Sequence, residues 1–134
     1  MRLLLWLLAL GNLGVGLQAA FTPRSFYDDF PLGRSWVAMD GPYNQHLVRD
    51  VGSLNLALVV LVFAALFVGT RVLARTAMIA WLFNAIPHFV YHARHITMNG
   101  MAGSDRVGIL VTLGFAALAP FLVLYWTRSR TVVT

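Results

Sequence analysis

Three histidines, His88, His92 and His95, stand in the run Pro87-His-Phe-Val-Tyr-His-Ala-Arg-His95, which closes an apolar segment starting near Thr76. An α-helix advances about 100° per residue, so the three imidazoles fall within a wedge of roughly 60°, with Asn84 and Tyr91 at its edges. Imidazole ligates metals and carries protons near neutral pH. Three of them at the end of a membrane-length segment are costly to place without a use. A second pair, His46 and Asp50, is spaced i, i+4 and shares one helical face. His46, Asp50, His88, His92 and His95 together offer up to five nitrogen and oxygen ligands. Neutral imidazole with carboxylate suits zinc, copper(II) or non-haem iron. The chain has no Cys, which removes thiolate metal sites, disulfides and cysteine nucleophiles. Arg49 and Arg94 flank the cluster and, with Asn84 and Tyr91, form its expected outer shell; Arg106 lies nearby. The competing readings are hydrated side chains at headgroup depth with no metal, a haem site and a quinone site. Under the hydrated reading Arg49–Asp50 and Arg94–Asp105 are ordinary surface ion pairs.

The elements that must position these residues are apolar helices. Hydrophobic residues make up 59% of the 134 and charged residues 11%, against about 25% charged in soluble domains. So little charge leaves too little polar surface to solvate a globule, and the expected solvent is lipid. The net charge of +5 comes from ten Arg and no Lys, scattered in ones and twos, and this pattern argues against nucleic-acid binding. All side-chain carboxylates are the five Asp.

Four spans are expected, at about 3–20, 51–70, 76–95 and 107–127. The fold class is therefore an all-α integral membrane four-helix bundle, in a single domain. The first run resembles a signal peptide in its single basic residue and Leu-rich middle. Leu17 and Gln18 suit cleavage after Ala19 or Ala20 poorly, so it reads as an uncleaved span. Gly11, Gly14 and Gly16 in it are expected to let a neighbouring helix approach closely. Residues 21–46 form a long connector broken by Pro23, Pro31 and Pro42. Its Phe26, Tyr27, Phe30, Trp36 and Tyr43 suit a folded cap at the membrane interface, with a helical turn around Ser25 to Phe30. Asn44 is the expected N-cap of the second span. Arg71 and Arg75 bracket an expected turn of about five residues, which pairs the second and third spans antiparallel. Counting outward from about residue 73 places Asp50 opposite His95. The expected ion site is then His92, His95 and Asp50 with His46 as fourth ligand, and His88 as a deeper partner of Asn84 or of the first or fourth span. Kinks are expected at Pro87 and Pro120. Asn12, Asn55 and Asn84 are expected to hydrogen-bond between helices.

Ser25-Phe-Tyr-Asp-Asp-Phe-Pro31, Gly41-Pro-Tyr-Asn-Gln-His-Leu-Val-Arg-Asp50, Asn55 and Pro87-His-x2-Tyr-His92 resemble segments of a group of small four-span bacterial membrane proteins. The layout is also loosely similar to DoxX-type four-helix proteins. The resemblance implies the fold and a long loop after the first span, and implies no reaction.

The expected function is an integral membrane protein with a His/Asp/Arg site at its extracytoplasmic mouth, metal-dependent or redox-active on a small or lipid-soluble molecule. The alternative is a non-catalytic accessory subunit of a larger membrane complex; a homo-oligomer is a third form of association. The expected location is the cell membrane. Four spans put Arg2, Arg71, Arg75, Arg128 and Arg130 on one side. Arg24, Arg34, Arg49, Arg94 and Arg106 share the other with every Asp. Basic residues tie, but those on the terminal side lie in short segments close to span ends, so both termini are expected in the cytoplasm. A reporter fused after Thr134 should therefore report cytoplasm and one inserted at Gly33 the exterior. A cytoplasmic Gly33 reporter would reverse the orientation.

Overall fold

The computed structural model describes residues 1–96 and 101–128. Residues 97–100 of the expected loop after His95, and Arg130 with the tail, lie outside the described residues. Those described form an all-helical chain: α1 (Arg2–Phe21), α2 (Pro23–Asp29), a 3-10 turn (Ala38–Asp40), α3 (Gln45–Val68), α4 (Arg71–His95) and α5 (Gly103–Trp126). Helices α1, α3 and α5 are long and apolar enough to cross a membrane. Helix α4 is as long, but its arginines, histidines, Asn84 and Pro87 keep it below the apolarity of the other three.

The long helices pack as two close pairs, α1 with α3 and α4 with α5, joined chiefly where α3 meets α4. One core runs through all four. It draws Leu5 and Leu8 from α1, Leu58 and Val62 from α3, Met78 and Trp81 from α4, and Val123 from α5. The opposite stripe of α1, Leu3, Leu7, Leu10, Leu17 and Phe21, is exposed. Apolar residues on the outside, with small ones such as Ala9, Ala65, Ala77 and Ala119 inside, are what a bundle in lipid requires.

The α1–α3 pair is antiparallel and closest at its cap end. A Cβ at Gly52 would lie 2.4 Å from the backbone nitrogen of Ala20, and one at Gly16 would lie 2.9 Å from the Leu56 side chain. Gly11 and Gly14, expected to serve the same purpose, meet nothing within 4 Å. The glycine that matters most is on α3, within a run that shows no small-residue repeat.

Helix ends follow local rules. Asn44 caps α3, its side chain accepting from the Leu47 N–H at 3.1 Å. Helix α3 therefore begins six residues before the expected span start and carries His46 and Asp50 as helical residues. Its other end closes on Gly69 at φ 74°, in the left-handed region. Thr70 then caps α4 by accepting from Leu73 N–H at 3.3 Å. The α3–α4 turn is thus Gly69 and Thr70, and Arg71 and Arg75 belong to α4, where a five-residue turn was expected. Asn55, expected to bond between helices, is buried and donates instead to Val51 O of its own helix at 2.7 Å.

Gly52→Ala should lower thermal stability in detergent by about 1–3 kcal/mol, because the methyl meets backbone that cannot rotate away. Gly14→Ala should be neutral or stabilising by up to about 1 kcal/mol through helix propensity alone. Equal midpoints for the two variants would contradict the close crossing.

Candidate functional site

The connector is folded over one end of the bundle. Phe26 is buried with Ala19 and Val48, and Val15, Phe30, Val37 and Tyr43 pack around them. The Phe26 and Phe30 rings lie 4.8 Å apart, and Trp36 meets Phe30 edge-on at 6.5 Å. Tyr27 donates to Gly41 O at 2.6 Å and sits edge-on to Tyr43. Arg24 lies over the Tyr43 ring and pairs with Asp28; the Asp28 hydrogen bond raises its pKa further. The chain reverses through Leu32, Gly33 and Ser35, all at positive φ, and Ser35 Oγ donates to Asp28 O.

Three contacts latch this cap to α4 and α5. Arg34 pairs with Asp105 at 2.5 Å, 71 residues away in the chain. The Trp36 ring lies on Gly108, where a Cβ would come within 2.9 Å of it. Asp40, at the end of the 3-10 turn, has its carboxylate 3.6 Å from His92 Nε2. The first two latches occupy the start of α5, where Asp105 also complements the helix dipole.

His92 owes its place to helical periodicity. The inward stripe of α4 runs Ala74, Ala77, Met78, Trp81 and Ala85, and His92 continues it one heptad beyond Ala85. The His92 side chain is 17% exposed and that of Asp40 27%, so water screens this pair far less than a surface pair. The His88 ring meets His92 edge-on at 4.7 Å, and Tyr91 meets it at 5.3 Å. His95 turns away: its Nδ1 lies 2.8 Å from Tyr91 O and its ring stacks on Tyr91 at 4.4 Å.

The expected five-ligand metal site is not assembled. Among the described residues, no group of three or more His and Asp side chains is placed to hold an ion. His46 pairs with Asp50 along α3 at 3.3 Å, with both side chains largely exposed. Asp50 therefore does not join His92 and His95, and His92 takes Asp40 instead. The cause is register. With the turn at Gly69 and Thr70 rather than about residue 73, the residue level with Asp50 on α4 shifts inward to about Phe89, and His92 rises level with about Leu47.

The expected outer shell also regroups. Arg49 donates to Ala20 O at 3.0 Å and staples α3 to the end of α1 rather than holding Asp50. Asp105 takes Arg34 rather than Arg94, which is exposed. Asn84 is half-buried in α4, four residues from His88. Arg106 Nε is buried without a hydrogen-bond partner among the described residues. Trp36 packs on the helices as the aromatic connector led one to expect, but sequence reasoning missed its seat on Gly108 and the roles of Asp40 and Arg34. Each acts across dozens of residues, and the only hint was that every Asp falls at this end of the bundle.

Comparison with known proteins matches the chain to no family model, no curated protein and no solved structure.

Asp105→Asn should raise the rate of chymotrypsin cleavage within the cap several-fold in detergent. The exchange of Arg34→Asp with Asp105→Arg should bring it most of the way back. An unchanged rate in Asp105→Asn would show that this pair does not hold the cap.

Proposed function

We propose that the protein is a four-helix integral membrane protein, with α1, α3, α4 and α5 crossing the bilayer. Its capped mouth binds a small, lipid-soluble molecule and exchanges a proton with it through His92. The observation that carries this reading is the Asp40–His92 pair, held by the cap against α4 with both side chains mostly buried. A carboxylate beside imidazole orients the ring and stabilises the imidazolium that forms on proton uptake. At 3.6 Å the pair is longer than a hydrogen bond. It steers the ring without locking it, and such contacts shorten when a ligand fills the site.

The neighbours suit the same task. His88 touches His92 from the membrane side, so a proton has a second imidazole to reach. The buried Nε–H of Arg106 has no hydrogen-bond partner among the described residues, and an oxygen on the ligand would satisfy it. On the lipid side of His88 lies an apolar groove of about 240 Å³ on α4, lined by Leu82, Phe83, Ile86 and Pro87. A molecule dissolved in the bilayer would reach the histidines along it. The chain has no Cys and so no thiol of its own to oxidise. Its own contribution is binding and proton exchange, with any electron acceptor supplied from outside.

Thermal shifts against a panel of lipid-soluble quinones and phenols test this reading. At least one compound should raise the midpoint of the wild-type protein, and the rise should be lost in His92→Gln and reduced in Asp40→Asn. The same rise in His92→Gln, or none across the panel, would overturn it. A stoichiometric protein partner recovered on mild solubilisation, with no shift across the panel, would favour an accessory subunit.

A further inference from the structure

The end of the bundle away from the cap carries charge of one sign. All five Asp lie at the cap end. At the opposite end, where α1 begins, α3 ends and α4 begins, the described charged side chains are Arg2, Arg71, Arg75 and Arg128. Two of these are engaged: Arg75 donates to Leu124 O near the end of α5, and Arg128 lies over the Tyr125 ring. Arg2 and Arg71 are exposed and belong to none of the ion pairs among the described residues.

Their position is electrostatically unfavourable. Arg2 opens α1 and Arg71 opens α4, and neither helix has an acidic residue in its first turn. The N-terminal end of a helix is the positive end of its dipole, so a cation there adds to the field instead of offsetting it. Among the described residues no carboxylate lies at this end. An anion from outside the chain would offset this field.

A groove at the same place shows what shape that charge has. It measures about 230 Å³ and lies between the first turn of α1, the last turn of α3 and the first turn of α4. Arg2 and Thr70 contribute its polar wall, while Leu5, Leu66 and Ala74, all buried, make an apolar floor. A free phosphate would gain nothing from that floor. An anionic phospholipid would use both halves, with its phosphate against Arg2 and Thr70, next in the chain to Arg71, and its glycerol and first methylenes along the leucines. We propose that this groove seats the headgroup of an anionic phospholipid, held by Arg2 and Arg71, at the face of the membrane opposite the cap.

The test compares phosphatidylglycerol with phosphatidylcholine, each doped into detergent micelles holding the purified full chain. Phosphatidylglycerol should raise the thermal midpoint by about 3–6 °C more than phosphatidylcholine does. The difference should vanish in the Arg2→Gln/Arg71→Gln variant and persist in Arg24→Gln at the cap end. In native mass spectrometry of the wild-type protein with an equimolar mixture of the two lipids, phosphatidylglycerol adducts should dominate, which keeps the test open if the double variant does not fold. Equal shifts for the two lipids, or a full difference in the double variant, would overturn the proposal. So would an equal rise with inorganic phosphate alone, which would assign the groove to a soluble anion.

Discussion

The contact between α1 and α3 at Gly52 sets the rest of the molecule. Only a missing side chain lets the α3 backbone come this close to Ala20. That approach brings the end of α1 beside the start of α3, and Arg49 fastens the junction on Ala20 O. The connector between the two helices then has to leave and return at nearly the same point. With its two ends held together, it folds back over the mouth. Its aromatic residues gain a surface to pack on because Ala19 and Val48 are brought together beneath Phe26.

Once folded, the cap is directed by polar contacts. Helix α5 begins with Asp105, which would be a costly charge at the edge of lipid if left alone. Arg34 reaches across to it, and Trp36 follows into the space left open by Gly108. These two contacts fix how far the cap extends over α4. They bring the 3-10 turn to the point where Asp40 meets His92. The candidate site is thus a consequence of docking. Neither partner of the Asp40–His92 pair is near the other in the chain, and each is held by contacts of a different element.

The two ends of the bundle have opposite chemistry for a related reason. At the cap end the chain supplies its own counter-charges, so Arg24, Arg34 and His92 each find a carboxylate. At the far end no described carboxylate does so, and Arg75 and Arg128 turn to a backbone carbonyl and an aromatic ring.

Much of this was legible in the residues themselves. Long apolar runs with few charges specify helices in lipid, because only there can such segments bury both their side chains and their backbone bonds. Asn44 marked the start of α3, and the prolines and aromatics of the connector marked a folded, non-continuous segment, because caps and proline act on adjacent backbone. The histidine stripe of α4 follows from the 3.6-residue period alone. Its partner did not. Reading Arg71 and Arg75 as bracketing a turn displaced the hairpin by a few residues, and a few residues are a full turn of helix. That error exchanged Asp40 for Asp50. Local chemistry determines where helices run and what their faces carry. The depth at which two faces meet depends on where the backbone turns and how closely glycine lets it approach, and those are decided by packing across the whole bundle.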